Sequence, residues 1–158
     1  MKSIFLVALL AAAFPSGAGP LLHAGEASAP RVIRIRAGVE NAMKFEEANI
    51  TAAPGESIQV VLVNACTLPK VVMGHNWVLL ATGTDINAFA AAAALEAANG
   101  YIPEKQKDKV VALVGLLGPN ETGEVTFTAP SVPGEYPFIC TFPAHCATGM
   151  RGVLLVKQ

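Results

Sequence analysis

An all-β sandwich carrying one inserted helix is the fold class this sequence predicts. Three observations predict it. Seven or eight short runs are rich in β-branched and apolar residues. Turn clusters such as Ala53-Pro54-Gly55 and residues 129–134 separate them. One Ala-rich segment, residues 85–99, interrupts the strand pattern.

In chain order, residues 25–30 form a short linker. Residues 32–36 (VIRIR) read as the first strand, alternating in their second half. Residues 44–50 hold a second short strand, and residues 57–64 (SIQVVLVN) a third. Residues 77–80 are a short apolar strand. The Ala-rich segment then reads as a helix, with Asp85 to cap its start and Gly100 to end it. Residues 110–117 make the next strand, interrupted by Gly115. Residues 124–128, 135–140 and 152–157 supply the last three.

The chain has 158 residues, of which 53% are hydrophobic, enough for one compact domain with a sizeable core. Its 11 basic and 12 acidic residues nearly cancel. That balance leaves no basic face for nucleic acid and no polybasic patch for an anionic membrane.

Residues 1–24 read as a secretory signal peptide. Lys2 gives the positive start, and residues 4–14 are an apolar run of 11, short of the roughly 20 needed to cross a bilayer. Cleavage falls after Ala24, with Ala18 as the competing position and an uncleaved anchor as the alternative. The mature domain is then 25–158, exported to the periplasm or secreted. Export permits disulfides. The chain has three cysteines, Cys66, Cys140 and Cys146, so at least one has no partner within the chain.

Two histidines remain after signal removal, His75 and His145. His145 lies in a dense run, Cys140-Thr141-Phe142-Pro143-Ala144-His145-Cys146-Ala147-Thr148-Gly149-Met150. A thiolate, an imidazole and a thioether thus share one short loop before the last strand. His75 supplies a second imidazole from elsewhere. Soft sulfur ligands suit Cu(I) and imidazole suits Cu(II), so a His2Cys plane with a weak axial Met serves both states of one copper ion. Two other readings stay open. His75, Cys140, His145 and Cys146 make up a Cys2His2 zinc set, although adjacent His145 and Cys146 must then face one ion and Met150 is left idle. A thiol nucleophile with a histidine base is the other, without a protease signature around Cys140.

Met73-Gly74-His75-Asn76-Trp77-Val78-Leu79 and Cys140-Thr141-Phe142-Pro143-Ala144-His145 resemble the two copper segments of the azurin type of blue copper protein. The gap between His145 and Met150 is one residue longer than in azurin and is like that of the auracyanin type. The likeness extends over residues 31–157 as strand order, and is close in sequence around 59–80 and 136–156. It implies a Greek-key β-sandwich, the cupredoxin fold, with copper at one end. His75, Cys140, His145 and Met150 would be the metal ligands. Gly74 matches the position whose carbonyl lies on the far axial side. Asn76 matches the residue that ties the two ligand loops and supports the sulfur.

The resemblance also implies a soluble, monomeric one-electron carrier rather than an enzyme. Redox proteins, one donor and one acceptor, would dock transiently at an exposed edge of His145. Met73, Leu68, Phe142, Pro143 and Ala144 would ring that edge. Copper delivery without redox shuttling, and a zinc or structural sandwich, are the competing functions. The sequence departs from the family at Ala144, where glycine is common, and at Cys146. No pair matches azurin's own disulfide. Because Cys66 sits in a loop expected at the copper end, Cys66 and Cys146 are expected to pair beside the site, within the reach of about 7 Å between Cα atoms that a disulfide needs.

Overall fold

The computed structural model describes residues 29–158. The signal-peptide reading of residues 1–24 lies outside them. Among the described residues, eight strands form two sheets. The first sheet holds β1 (Arg31–Ala37), β3 (Ser57–Asn64) and β6 (Thr122–Thr128), in the order β1-β3-β6. The second holds β2 (Asn49–Ala52), β4 (His75–Leu80), β5 (Val110–Leu117), β7 (Gly134–Ile139) and β8 (Arg151–Val156), in the order β2-β8-β7-β4-β5. Two pairings are parallel, β1 with β3 and β2 with β8, and the others are antiparallel.

The alternation of each strand decides what fills the space between the sheets. Ile35 and Ala37 of β1, Ile58, Val60 and Leu62 of β3, Trp77 and Leu79 of β4, and Phe138 of β7 all enter one buried cluster. Trp77 is wholly buried between the rings of Phe127 and Phe138.

The second expected strand is shorter and later than residues 44–50. Only Asn49–Ala52 pairs as a strand, and Phe45 makes a single bridge to Ala37. Polar residues account for the difference. The Glu47 carboxylate accepts from the Arg36 backbone N–H, so a side chain takes the place of a ladder bond there.

β4 is buried along its whole length, which one sheet face alone cannot achieve. The inserted helix explains it. α2 (Ile86–Ala93) covers the outer face of the five-stranded sheet: Phe89 packs with Val78 and Leu80 of β4, Ile139, Ile102 and Cys146 in a second buried cluster. Asp85 caps the helix as expected, its Oδ1 accepting from the N–H groups of Asn87 and Ala88 at 3.0 Å. The helix proper is shorter than the Ala-rich segment, and a 3-10 turn at Ala97–Asn99 follows, closed by Gly100 at φ 63. A one-turn helix that the sequence did not announce, α1 (Lys70–Met73), precedes β4.

Phe89→Ala is expected to cost about 3–5 kcal/mol by opening a cavity under α2. Asp85→Ala is expected to cost about 1 kcal/mol through loss of the cap. Denaturant unfolding of both variants checks the ratio; equal losses would contradict the role given to Phe89.

Candidate metal centre

His75 is the first residue of β4, and Cys140 follows the last residue of β7. These strands are direct neighbours in the sheet, so their ends are carried to the same place. A register shift between His75 and Trp77 in the β4–β5 ladder re-aims the strand at the ligand position. Its extra residue lies on β5 near Gly115, the glycine that interrupts that strand pattern.

After Cys140 the chain turns tightly. The His145 N–H donates to Phe142 O, Thr148 N–H to Ala144 O, and Met150 N–H to His145 O. Met150 O accepts from the Cys140 N–H at 3.1 Å, closing the loop on itself. Met150 is wholly buried and shares the main core cluster with Cys140.

His75, Cys140 and His145 therefore converge. Their ligand atoms lie within 4.8 Å of one another, and all three residues are buried. The Cys140 Sγ stands 3.4 Å from His145 Nδ1 and 4.0 Å from His75 Nδ1. Atoms that bind one ion at about 2.0–2.3 Å stand roughly 3.5–4 Å apart in a trigonal plane. The separations fit.

The electrostatics fit as well. Burial pushes the Cys140 thiol up to about 12, while the backbone N–H groups of Asn76 and Phe142 pull the other way. Those donors favour a sulfur anion, and a bound cation supplies the rest of what ionisation needs. Burial lowers both histidines to about 4, with the neighbouring His145 adding to the effect on His75. Both rings are neutral at pH 7 and keep a lone pair for metal.

Asn76 joins the two ligand segments. Its Oδ1 accepts from the Thr141 N–H at 2.8 Å, and its Nδ2 donates to Thr141 Oγ1 at 2.6 Å. The same amide reaches Gly100 O at 3.4 Å, which ties the inserted segment to the centre. Gly74, just before His75, is buried, and a Cβ there would lie 2.7 Å from Lys70 O.

Gly38 was not singled out by sequence reasoning. It adopts φ 71, and a Cβ on it would lie 2.6 Å from His75 Nε2 and 2.8 Å from the Cys66 Cβ. It backs the imidazole on the side away from the sulfur. The only signal for it is a glycine directly after a strand. Thr141 was likewise overlooked, although it stands inside the quoted Cys140–His145 segment.

One expectation is corrected. Cys66 and Cys146 do not pair; all three cysteines are free. The Cys66 Sγ is engaged with Asn41 Oδ1 at 3.1 Å and the Leu68 N–H at 3.3 Å, whereas Cys146 belongs to the apolar cluster under α2. That placement also removes Cys146 from the convergent set, against the Cys2His2 alternative. His145 is 2% accessible as a residue, and its Nε2, which bonds to nothing among the described residues, is not enclosed as His75 Nε2 is. Phe142 lies against it at 4.8 Å and His75 at 4.9 Å between ring centroids. Of the residues expected to ring that edge, Phe142 is core, Leu68, Met73 and Pro143 are half-buried, and Ala144 is exposed.

Residues 33–157 match the copper-binding proteins of the plastocyanin/azurin family. Auracyanin-B of Chloroflexus aurantiacus is 32% identical over 127 residues, 80% of this chain and 52% of the relative. The chain thus spans about half the length of that relative. Auracyanin-A of the same organism is 35% identical over 132 residues, 82% of this chain and 76% of the relative. The crystal structure of dithionite-reduced auracyanin from Roseiflexus castenholzii superposes with a TM-score of 0.70 at 33% identity, covering 83% of this chain and all of that one.

Two variants probe the scaffold of the centre. Asn76→Ala leaves the buried Thr141 N–H without a partner and is expected to cost about 1–3 kcal/mol. Ala144 holds φ 69, a left-handed conformation that costs a non-glycine residue about 1–2 kcal/mol. Ala144→Gly is expected to gain up to about 1 kcal/mol, the relieved strain less glycine's extra chain entropy. Thermal unfolding reads both; a destabilised Ala144→Gly would show that the methyl is packed rather than strained.

Proposed function

This chain belongs to the plastocyanin/azurin family of copper-binding proteins, and from that we propose a one-electron carrier whose single type 1 copper ion is held by His75, Cys140, His145 and Met150. One observation carries the reading: two imidazole nitrogens and one thiol sulfur, from strand ends far apart in sequence, converge in a buried site. When bound, the ion would supply a reversible one-electron couple, and two imidazoles with soft sulfur donors suit both of its oxidation states.

The chain's own residues do the remaining work. The N–H groups of Asn76 and Phe142 point at the Cys140 sulfur and favour its anion, against the effect of burial. Gly74 leads into His75, with Lys70 O and the Leu116 side chain packed so closely on it that a side chain there has no room. The Asn76–Thr141 pair fixes one ligand segment against the other. Phe142 and the close turn of residues 142–149 cover most of His145. Fixed ligands reorganise little when charge changes, which keeps electron transfer fast.

A carrier fits these features better than an enzyme or a delivery module. An enzyme's metal needs a position open to substrate, and delivery needs exchangeable, accessible donors; here the donors are buried. The apolar amino-terminal run and the oxidising location it implies support export of a mature domain, residues 25–158, to the periplasm or beyond. No helix among the described residues is long and apolar enough to cross a membrane. The partners are redox proteins that dock transiently on a monomer, one giving and one taking an electron.

The copper-loaded mature protein is expected to be intensely blue through its thiolate bond, and Cys140→Ser to lose the colour while keeping the fold. Optical and EPR spectra with circular dichroism decide it; a colourless Cu(II) form of the unaltered protein would overturn the reading. Copper at a hundredfold over its Kd is further expected to raise stability by about 2.7 kcal/mol, and chelation to reverse it.

A further inference from the structure

The back of the metal centre is formed by a segment that carries none of its donors. β1 ends at Ala37, and the next residue, Gly38, stands against the His75 ring at Nε2. This is the ring nitrogen other than the one facing the Cys140 sulfur, and it is enclosed. From Gly38 the chain arches through residues 39–44 and returns at Phe45, which bridges Ala37. The Gly38 N–H donates to Lys44 O at 3.2 Å, closing the base of the arch.

The arch holds an unusual backbone. Gly38 lies at φ 71, Glu40 at φ 54 and Asn41 at φ 59, all left-handed. Glycine takes that conformation freely, and asparagine tolerates it better than most residues. Outside glycine it persists where the surroundings over-determine it. One side chain does so here. Asn41 Oδ1 accepts from the Cys66 thiol at 3.1 Å, from the Thr67 N–H at 2.9 Å and from the Thr67 hydroxyl at 3.1 Å. An amide oxygen has two lone pairs, so three donors saturate it.

The donors lie on residues 64–69, the segment that leads through α1 to His75 itself. That segment is fixed independently of the arch. Asn64 Nδ2 donates to Leu117 O at 3.1 Å, and Asn64 Oδ1 accepts from the Cys66 N–H at 2.9 Å. Cys66 also packs on Gly38, where a Cβ would come within 2.8 Å of its own. Asn41 thus ties a strained arch to a rigid neighbour, and the His75 ring is caught between them and the sulfur.

We propose that Asn41 is a positioning residue for the metal centre: by clamping residues 38–44 to residues 64–69 it holds Gly38 against His75 and limits how far the imidazole turns or withdraws from Cys140. The inference rests on the copper reading above. Asn41 touches no metal ligand and acts through Gly38.

The test compares the protein with Asn41→Gly and Asn41→Asp. Three readouts are taken: copper release to excess chelator, the EPR copper hyperfine splitting, and NMR line widths of the His75 ring in the copper-free protein. Asn41→Gly keeps the left-handed backbone but has no acceptor. It is expected to release copper about tenfold faster, at the low end of the ten- to hundredfold in metal affinity that outer partners of a ligand histidine control. Its hyperfine splitting is expected to change, and its ring lines to broaden. Asn41→Asp keeps an acceptor and tolerates the backbone, and is expected to stay within about threefold of the unaltered release rate with sharp ring lines. Tyr136→Phe, which removes a hydrogen bond to Val132 O near the start of β7, controls for stability loss alone and is expected to change none of the three. Thr67→Val removes only the hydroxyl donor; it stands in should Asn41→Gly not fold, with the same outcomes at smaller amplitude. An Asn41→Gly protein that matches the unaltered one overturns the clamp and leaves the blue centre standing. Faster release with unchanged splitting and sharp ring lines overturns it in favour of general loosening. An Asn41→Asp protein as fast as Asn41→Gly overturns it too, because the acceptor would then be idle. An unaltered protein without thiolate colour overturns the copper reading, while the copper-free line widths still decide the clamp.

Discussion

Cys140 carries a sulfur that water does not reach, and most of the surrounding architecture answers to that fact. A thiol so placed resists ionisation, since a lone anion in an apolar interior lacks the solvation it loses. Two backbone N–H groups and two neutral imidazoles meet it instead. None of these carries a full positive charge. A buried soft sulfur beside two neutral imidazoles is a donor set that suits a soft cation. The hydrogen bonds of Asn76, the bend in β5 and the tight turn after Cys140 all serve to keep the sulfur dry and the nitrogens aimed at it.

Burial on that scale needs cover on both faces of the sheet. Trp77 and Leu79 face the space between the sheets, but Val78 and Leu80 point the other way. Without α2 they would meet solvent directly behind a ligand. The helix is therefore more than an ornament between strands: Phe89 and Ile102 seal the outer face, and Gly100 returns the chain to Asn76. The same segment shields the centre and then delivers Tyr101 to its rim.

Much of this was legible in the sequence. Strands 57–64 and 110–117 fall where their β-branched runs put them, because apolar alternation and burial are one pattern. Asp85 announced the helix start, and the Cys140–Met150 spacing announced a shared loop. What stayed hidden depends on contacts distant in sequence. Whether Cys66 faces Cys146 is decided by the side of the sheet each occupies, and no spacing reports that. The cover over His145 comes from ring packing, which leaves no trace in the order of residues. The α1 turn, residues 70–73, has no apolar periodicity to betray it and is ended by the buried Gly74.

Gly38 lies behind His75, with space for hydrogen alone between ring and backbone. The wall it forms belongs to the end of β1, in the three-stranded sheet, whereas every donor is carried by or next to the five-stranded one. The cage consequently has no back until the two layers have closed on each other. The surroundings of the donors are therefore a property of the whole domain, shared between both layers, and not of the Cys140–Met150 loop alone.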